Sequence, residues 1–280
     1  PLDPAWDISL PTNRNVQDLM IGPLDDTLVH TQHAMFITRA SLLRLQPGRS
    51  DDQYLDSPII DLYLTLFNEA VPSCGGGLHT EAAPNGVRLH IMPTQLIQYL
   101  YEFDGGPPRY QRAIDSHLFD KVMLDSLDLL VFPFSPTGSL HWWAIVFDFR
   151  TQIIKICDSM DWAKTGHPTA THLGDLISQI LLDDYKVTRS FRDWSITSSG
   201  LPRQKNAFDC GVFMCMYILH LAMEAPMTFA QADMDQCRMH IARRILANVF
   251  YVDGSTPPLL TPPHTPPSPL TPLPVPWRMP

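Results

Sequence analysis

Residues Leu201–Tyr217 read LPRQKNAFDCGVFMCMY, and this stretch decides the fold. Gln204 stands six residues before Cys210, and the thiol is framed by Asp209 and Gly211. From there the chain is apolar, His220 apart, as far as Met223. The run is too short to span a bilayer and reads as a buried core helix. A structural cysteine inside such a helix needs no acidic residue or glycine beside it. A nucleophile at the helix start gains from its position, because the positive end of the helix dipole favours the thiolate. Gly211 would admit the backbone of a substrate. The Gln204 amide and the backbone N–H of Cys210 are candidate donors to an oxyanion.

Upstream, HWWAIVFDF (His141–Phe149) and QIIKICDS (Gln152–Ser159) read as the two strands of a hairpin. A turn centred between Phe149 and Arg150 sets His141 opposite Asp158. Opposed side chains of an antiparallel pair have Cβ atoms about 5 Å apart. A one-residue slip of the ladder would send the two to opposite faces. The hairpin thus offers a base and a carboxylate that orients it, and Cys210 offers the nucleophile. Taken singly, each of these residues is more often structural. Their combination is what points to chemistry. Cys157 should alternate to the core side of its strand, and Cys215 should be inert inside its helix.

The chain has 280 residues, of which 45% are hydrophobic and 18% charged, enough for a sizeable core. A formal net charge of −9 argues against nucleic acid as the main ligand. The five cysteines have no framework spacing and no signal peptide opens the sequence, so free thiols in a reducing, intracellular setting are expected, nucleus or cytoplasm, with no membrane association. A monomer is expected. Residues 1–33 read as an N-terminal extension and 34–253 as the folded domain. Within it, Phe36–Leu45 suits a strand or short helix. Ser57–Ala70 suits a largely buried helix capped by Ser57, and Pro93–Phe103 a short one. Leu127–Phe134 suits a buried strand broken by Pro133. Helices are expected over 171–185, Cys210–Met223 and Met234–Phe250. Residues 254–280 form a tail rich in proline, with 11 of the chain's 27 between 257 and 280. Such a segment buries no core; a disordered linker is favoured over a docking site for Pro-reading domains. Cys74, His79 and His90 match no common zinc spacing, so no metal is expected. Asp125 and Asp128 read as solvated turn residues.

Three segments in order, VFPFSPTGSLHWWAIVFDF, KICDSM and QKNAFDCGVF, resemble the ubiquitin-like-protein protease family, the SUMO/sentrin-specific cysteine peptidases. The likeness runs from about Phe36 to Tyr251. It implies an α+β, papain-like fold: a central, mostly antiparallel sheet with the nucleophile at the start of a buried helix. It implies Cys210 as nucleophile, His141 as general base, Asp158 as its orienting partner and Gln204 as oxyanion donor. Trp142 would cover the narrow Gly-Gly tail of a modifier, and Tyr54, in YLDSPIIDLYL, would be the second wall. A SUMO-like modifier or its conjugates is the implied partner, with no cofactor. Tyr54 replaces the family's Trp, Asp56-Ser57 its Asn-Asp, and Ser135 an Asn, changes that bear on which partner is read. Two other readings use the same residues. One is a related cysteine protease with a non-modifier substrate, of the viral or mobile-element type. The other is a catalytically silent module that only holds a ubiquitin-like protein.

Overall fold

The computed structural model describes residues 13–30, 36–48, 54–70, 87–94, 96, 127–135, 140–160 and 163–249. In chain order these form α1 (Asn13–Leu19), β1 (Thr27–His30), β2 (Phe36–Thr38), α2 (Arg39–Leu43), α3 (Ser57–Ala70), β3 (Leu89–Ile91) and β4 (Leu129–Phe134). There follow β5 (Trp143–Asp148), β6 (Ile153–Cys157), α4 (Ala163–Tyr185), β7 (Ser195–Thr197), α5 (Cys210–Ala222), a 3-10 turn (Gln231–Asp233) and α6 (Met234–Val249). The Pro-rich tail, most of Pro93–Phe103, and Cys74, His79 and Asp125 lie outside the described residues.

The fold is α+β around a five-stranded sheet in the order β3-β4-β5-β6-β7. Strands β4, β5 and β6 form an antiparallel meander, of which the β5–β6 hairpin was expected from the sequence. The two outer ladders, β3 on β4 and β7 on β6, are parallel, so the sheet as a whole is mixed. Arg88 reaches Asp128 with two guanidinium nitrogens, at 3.0 and 3.2 Å, and fastens β3 to the start of β4. Asp128 is therefore a paired residue and not a solvated one.

Both faces of the sheet are covered. Val131, Ala144, Val146 and Cys157 on one face lie in the same core as α5, α3 and α6. Phe132, Ile145, Phe147 and Ile156 on the other pack with Leu173, Ile177 and Ile180 of α4. Successive residues of a strand point to opposite faces, so a strand with two covered faces carries no polar alternation. That is why β4 and β5, buried at every position, read as unbroken apolar runs. Pro133 stays inside β4, opposite Ala144 and beyond the last β4 residue that β3 pairs with. Helix α5 is buried at every position from Cys210 to Leu219.

Several local features differ from expectation for physical reasons. The cap of α3 is Asp56, whose Oδ1 accepts the Ile59 N–H at 3.3 Å, rather than Ser57. Helix α4 begins eight residues before Thr171 and carries Pro168 within it. Gly166 and Pro168 are breakers by propensity, so the local sequence gives no sign of this earlier start. Residues 13–30, read as an extension, bring Val16 and Met20 into the main core, with α1 against α6 and β1 paired to β2.

Gly211 serves packing. A Cβ there would stand 3.1 Å from Leu55 Cβ and 3.3 Å from Ile60 Cδ1, so the space expected to admit a substrate is filled by the approach to α3. Gly211→Ala should destabilise the fold by about 1–3 kcal/mol, the usual range for overpacking. Urea unfolding checks this, and an unchanged midpoint would contradict it.

Candidate active site

The hairpin sets the geometry of the site. The β5–β6 ladder pairs Ala144 with Cys157 and Asp148 with Ile153. The turn is therefore centred between Arg150 and Thr151, one residue later than expected. Asp148 causes the shift: its buried carboxylate accepts the Arg150 and Thr151 backbone N–H groups at 3.2 and 3.4 Å and the Lys155 ammonium at 3.0 Å. Gln152 closes the turn with a positive φ of 55°. Moving a turn centre by one residue moves every partner by two, which preserves the face. His141 and Asp158 become diagonal neighbours just beyond the ends of the ladder, and the imidazole spans the gap. Its Nε2 lies 2.8 Å from Asp158 Oδ1, with both residues buried. A carboxylate only accepts, so this contact puts a proton on Nε2. The same Oδ1 accepts the Met160 backbone N–H at 2.8 Å.

Cys210 opens α5, and its Sγ lies 3.5 Å from the Leu140 carbonyl oxygen, one residue before His141. Burial disfavours the imidazolium. The hydrogen bond to Asp158 and its negative charge, with Cys210 adding in the same direction, more than offset it and raise the pKa of His141 to about 9. Burial pushes Cys157 and Cys237 up to about 12, and Cys215 higher still. Those thiols stay protonated and unreactive at neutral pH.

The loop before Cys210 is strapped across the end of β6. The Gln204 backbone N–H donates to the Ser159 carbonyl at 3.2 Å, and the Arg203 guanidinium donates to the Asp158 carbonyl at 2.7 Å. The Ser159 hydroxyl donates to Gln204 Oε1, while Gln204 Nε2 donates to the Asn206 carbonyl at 2.6 Å. Gln204 thus sits beside Asp158, with its amide orientation fixed at both ends.

Asp209 is buried, and four side-chain hydrogen bonds converge on its carboxylate. Oδ1 accepts Arg238 Nε at 3.1 Å and Nη2 at 2.5 Å, and Oδ2 accepts Asn206 Nδ2 at 2.6 Å and Gln231 Nε2 at 2.5 Å. Removing one member of a buried ion pair typically costs about 3–5 kcal/mol. The expectations from sequence do not include Arg203, Gln231 or Arg238, and Ser159 enters them only as the end of a strand. One signal pointed to Arg238: it falls on the buried stripe of α6 with Met234, Ile241, Ala242 and Ile245, where a cation needs a buried partner.

Trp142 is buried, and its indole N–H donates to the Leu55 carbonyl at 3.0 Å. That bond brings the half-buried Tyr54 segment next to the strand that follows His141. Among the described residues no cluster of three or more His, Cys, Asp or Glu is placed to hold a metal ion. Among them, too, no helix is long and apolar enough to cross a membrane.

The chain belongs to the Ulp1 protease family: residues 54–249 match the model of that family's C-terminal catalytic domain. Sentrin-specific protease 2 of Homo sapiens is 31% identical over 232 residues, covering 80% of this chain and 34% of that protein. Its counterpart in Rattus norvegicus is 30% identical over 233 residues, with the same two coverages. The chain thus spans about a third of the length of these relatives. Among solved structures, the C-terminal Ulp1 protease domain in complex with Smt3, the yeast ortholog of SUMO, superposes with a TM-score of 0.65 at 20% identity, covering 85% of this chain and 96% of that one. The Chaetomium thermophilum Ulp1-like SUMO protease catalytic domain gives 0.66 at 19% identity, covering 86% and 91%.

The raised pKa of His141 has a testable sign. Its imidazolium stabilises the fold fully below the unfolded pKa of about 6.5, and that contribution is lost as pH rises through about 9. Asp158→Asn removes the charge that holds the proton. The stability gap between the native chain and this variant should be widest near pH 6 and shrink towards pH 10 in urea unfolding. A gap that does not change with pH would refute the pairing.

Proposed function

We propose that the chain is a cysteine peptidase that cleaves after the C-terminal Gly-Gly of a ubiquitin-like modifier, SUMO-like in kind, from a precursor tail or a substrate lysine. The observation that carries this is the buried pair of His141 and Asp158, 2.8 Å apart, next to a thiol at the start of α5 that lies 3.5 Å from the Leu140 carbonyl oxygen. Family membership supports the choice of substrate, and so does the solved complex of the Ulp1 protease domain with Smt3.

The Cys210 thiolate attacks the carbonyl carbon of the terminal glycine. Negative charge passes to the carbonyl oxygen, where the Gln204 amide and the Cys210 backbone N–H stabilise it. One such donor is worth about 2.7–4 kcal/mol in a transition state. As the C–N bond breaks, the His141 imidazolium gives its Nδ1 proton to the leaving amine, and a thioester remains. His141, now neutral, takes a proton from water, whose oxygen attacks the thioester. Collapse returns the thiolate and the imidazolium and frees the modifier's carboxylate. Asp158 holds the ring through Nε2 in both steps. Trp142 and Tyr54 form the channel that takes the tail. Two adjacent glycines are the residues thin enough to pass beneath an indole.

The test is hydrolysis of ubiquitin, SUMO and other ubiquitin-like proteins, each carrying a fluorogenic amide on its terminal glycine. One modifier should be turned over. Cys210→Ser should abolish turnover, Gln204→Ala should lower kcat about 10²–10³-fold, and Trp142→Ala should cripple cleavage in a variant that remains folded. No turnover of any modifier by the native chain would favour a non-modifier substrate or a silent binding module. Normal turnover by Trp142→Ala would remove the channel.

A further inference from the structure

The guanidinium of Arg238 does more than neutralise Asp209. Its Nη1 donates to the Arg44 carbonyl at 2.5 Å, and its Nη2 reaches the Phe208 carbonyl at 3.4 Å. Arg44 ends α2 and carries the connection onward. Its own Nη1 donates to the Tyr54 carbonyl at 3.1 Å, and its Nε pairs with Asp56 at 3.4 Å. Leu55, between Tyr54 and Asp56, accepts the Trp142 indole N–H and packs on Gly211. A line of polar contacts therefore runs from the residue before Cys210, through Arg238 and Arg44, to the segment that holds Tyr54 and Trp142. Each link is buried or half-buried, and three separate parts of the chain meet at Arg238.

We propose that Arg238 is a positioning residue that sets the distance between the nucleophile and the channel for the modifier's tail, with Arg44 as the second link. The proposal rests on the peptidase reading given above. Its chemical basis is the planar fork of arginine, which serves three acceptors in fixed directions. A lysine in its place supplies one compact charge. Arg238→Lys keeps a cation for Asp209, and so keeps Cys210 in place, but releases the Arg44 carbonyl. Arg44→Met leaves Asp209 and Arg238 intact and cuts the link to Tyr54 and Asp56 instead.

Two reactions of Cys210 separate positioning from simple support of the fold. Iodoacetamide needs only an accessible, ionised thiol. A ubiquitin-like modifier with a thiol-reactive C-terminus needs the thiol and the channel in register. For a modifier that labels the native chain, Arg238→Lys and Arg44→Met should each slow labelling about tenfold. The same variants should alkylate within about twofold of the native rate. The double variant should be little slower than either single one, because both cut a single line of contacts. Normal labelling of the single variants would overturn the proposal. So would an equal loss in both reactions, or fully additive losses in the double variant. If Arg238→Lys does not fold, Arg44→Met alone decides, since its side chain is only half-buried. A native chain that no modifier labels strikes the peptidase reading itself, a result distinct from all of these.

Discussion

A carboxylate deprived of water must be neutralised where it stands, and Asp209 is one residue from the thiol that the site is built around. Its four side-chain hydrogen bonds draw Asn206, Gln231 and Arg238 onto one point, from the loop, the 3-10 turn and α6. Asn206 then folds the loop back by accepting the Phe208 and Asp209 N–H groups at 3.3 and 3.1 Å. The start of α5 is fixed in this way before any chemistry is considered. Every other part of the site is placed relative to that start.

The second fixed point is the open end of the hairpin. Strand β5 is buried on both faces and cannot slide along β6, because a one-residue slip would exchange two apolar cores. His141 and Asp158 leave that ladder from opposite strands and meet beyond it. Asp158-Ser159 serves both halves of the site: Asp158 takes the imidazole, while Ser159 takes the backbone and side chain of Gln204. A rigid sheet end and a strapped loop together hold the proposed base and oxyanion donor. The raised proton affinity of His141 follows from its contact with the Asp158 carboxylate inside that enclosure.

Much of this was legible in the sequence, and the rest was not, for identifiable reasons. The run after Cys210 announced a buried helix, and its composition left no other reading. The hairpin announced its strands, but D-F-R-T carries no standard turn signal, and only the capping by Asp148 fixes the centre. The facing residues were misjudged by two positions, and the parity that matters survived. Strands β3 and β7 have three residues each, too few for any period to show. Gly211 looked like a door for substrate because its neighbour Leu55 lies 156 positions earlier in the chain. Arg238 was missed, and Ser159 was read only as a strand end, for the same reason: their importance lies in partners brought close only by the fold.

The central claim is that one thiol of this chain is the nucleophile and that a ubiquitin-like tail reaches it. The most direct measurement is peptide mapping after reaction with a panel of ubiquitin-like proteins that carry thiol-reactive C-termini. The expected result is a single adduct, on the peptide that contains Cys210, formed with one modifier or a narrow group, while Cys157, Cys215 and Cys237 stay unlabelled. Labelling at one of those other cysteines, or no adduct from a folded chain with any modifier, would contradict it.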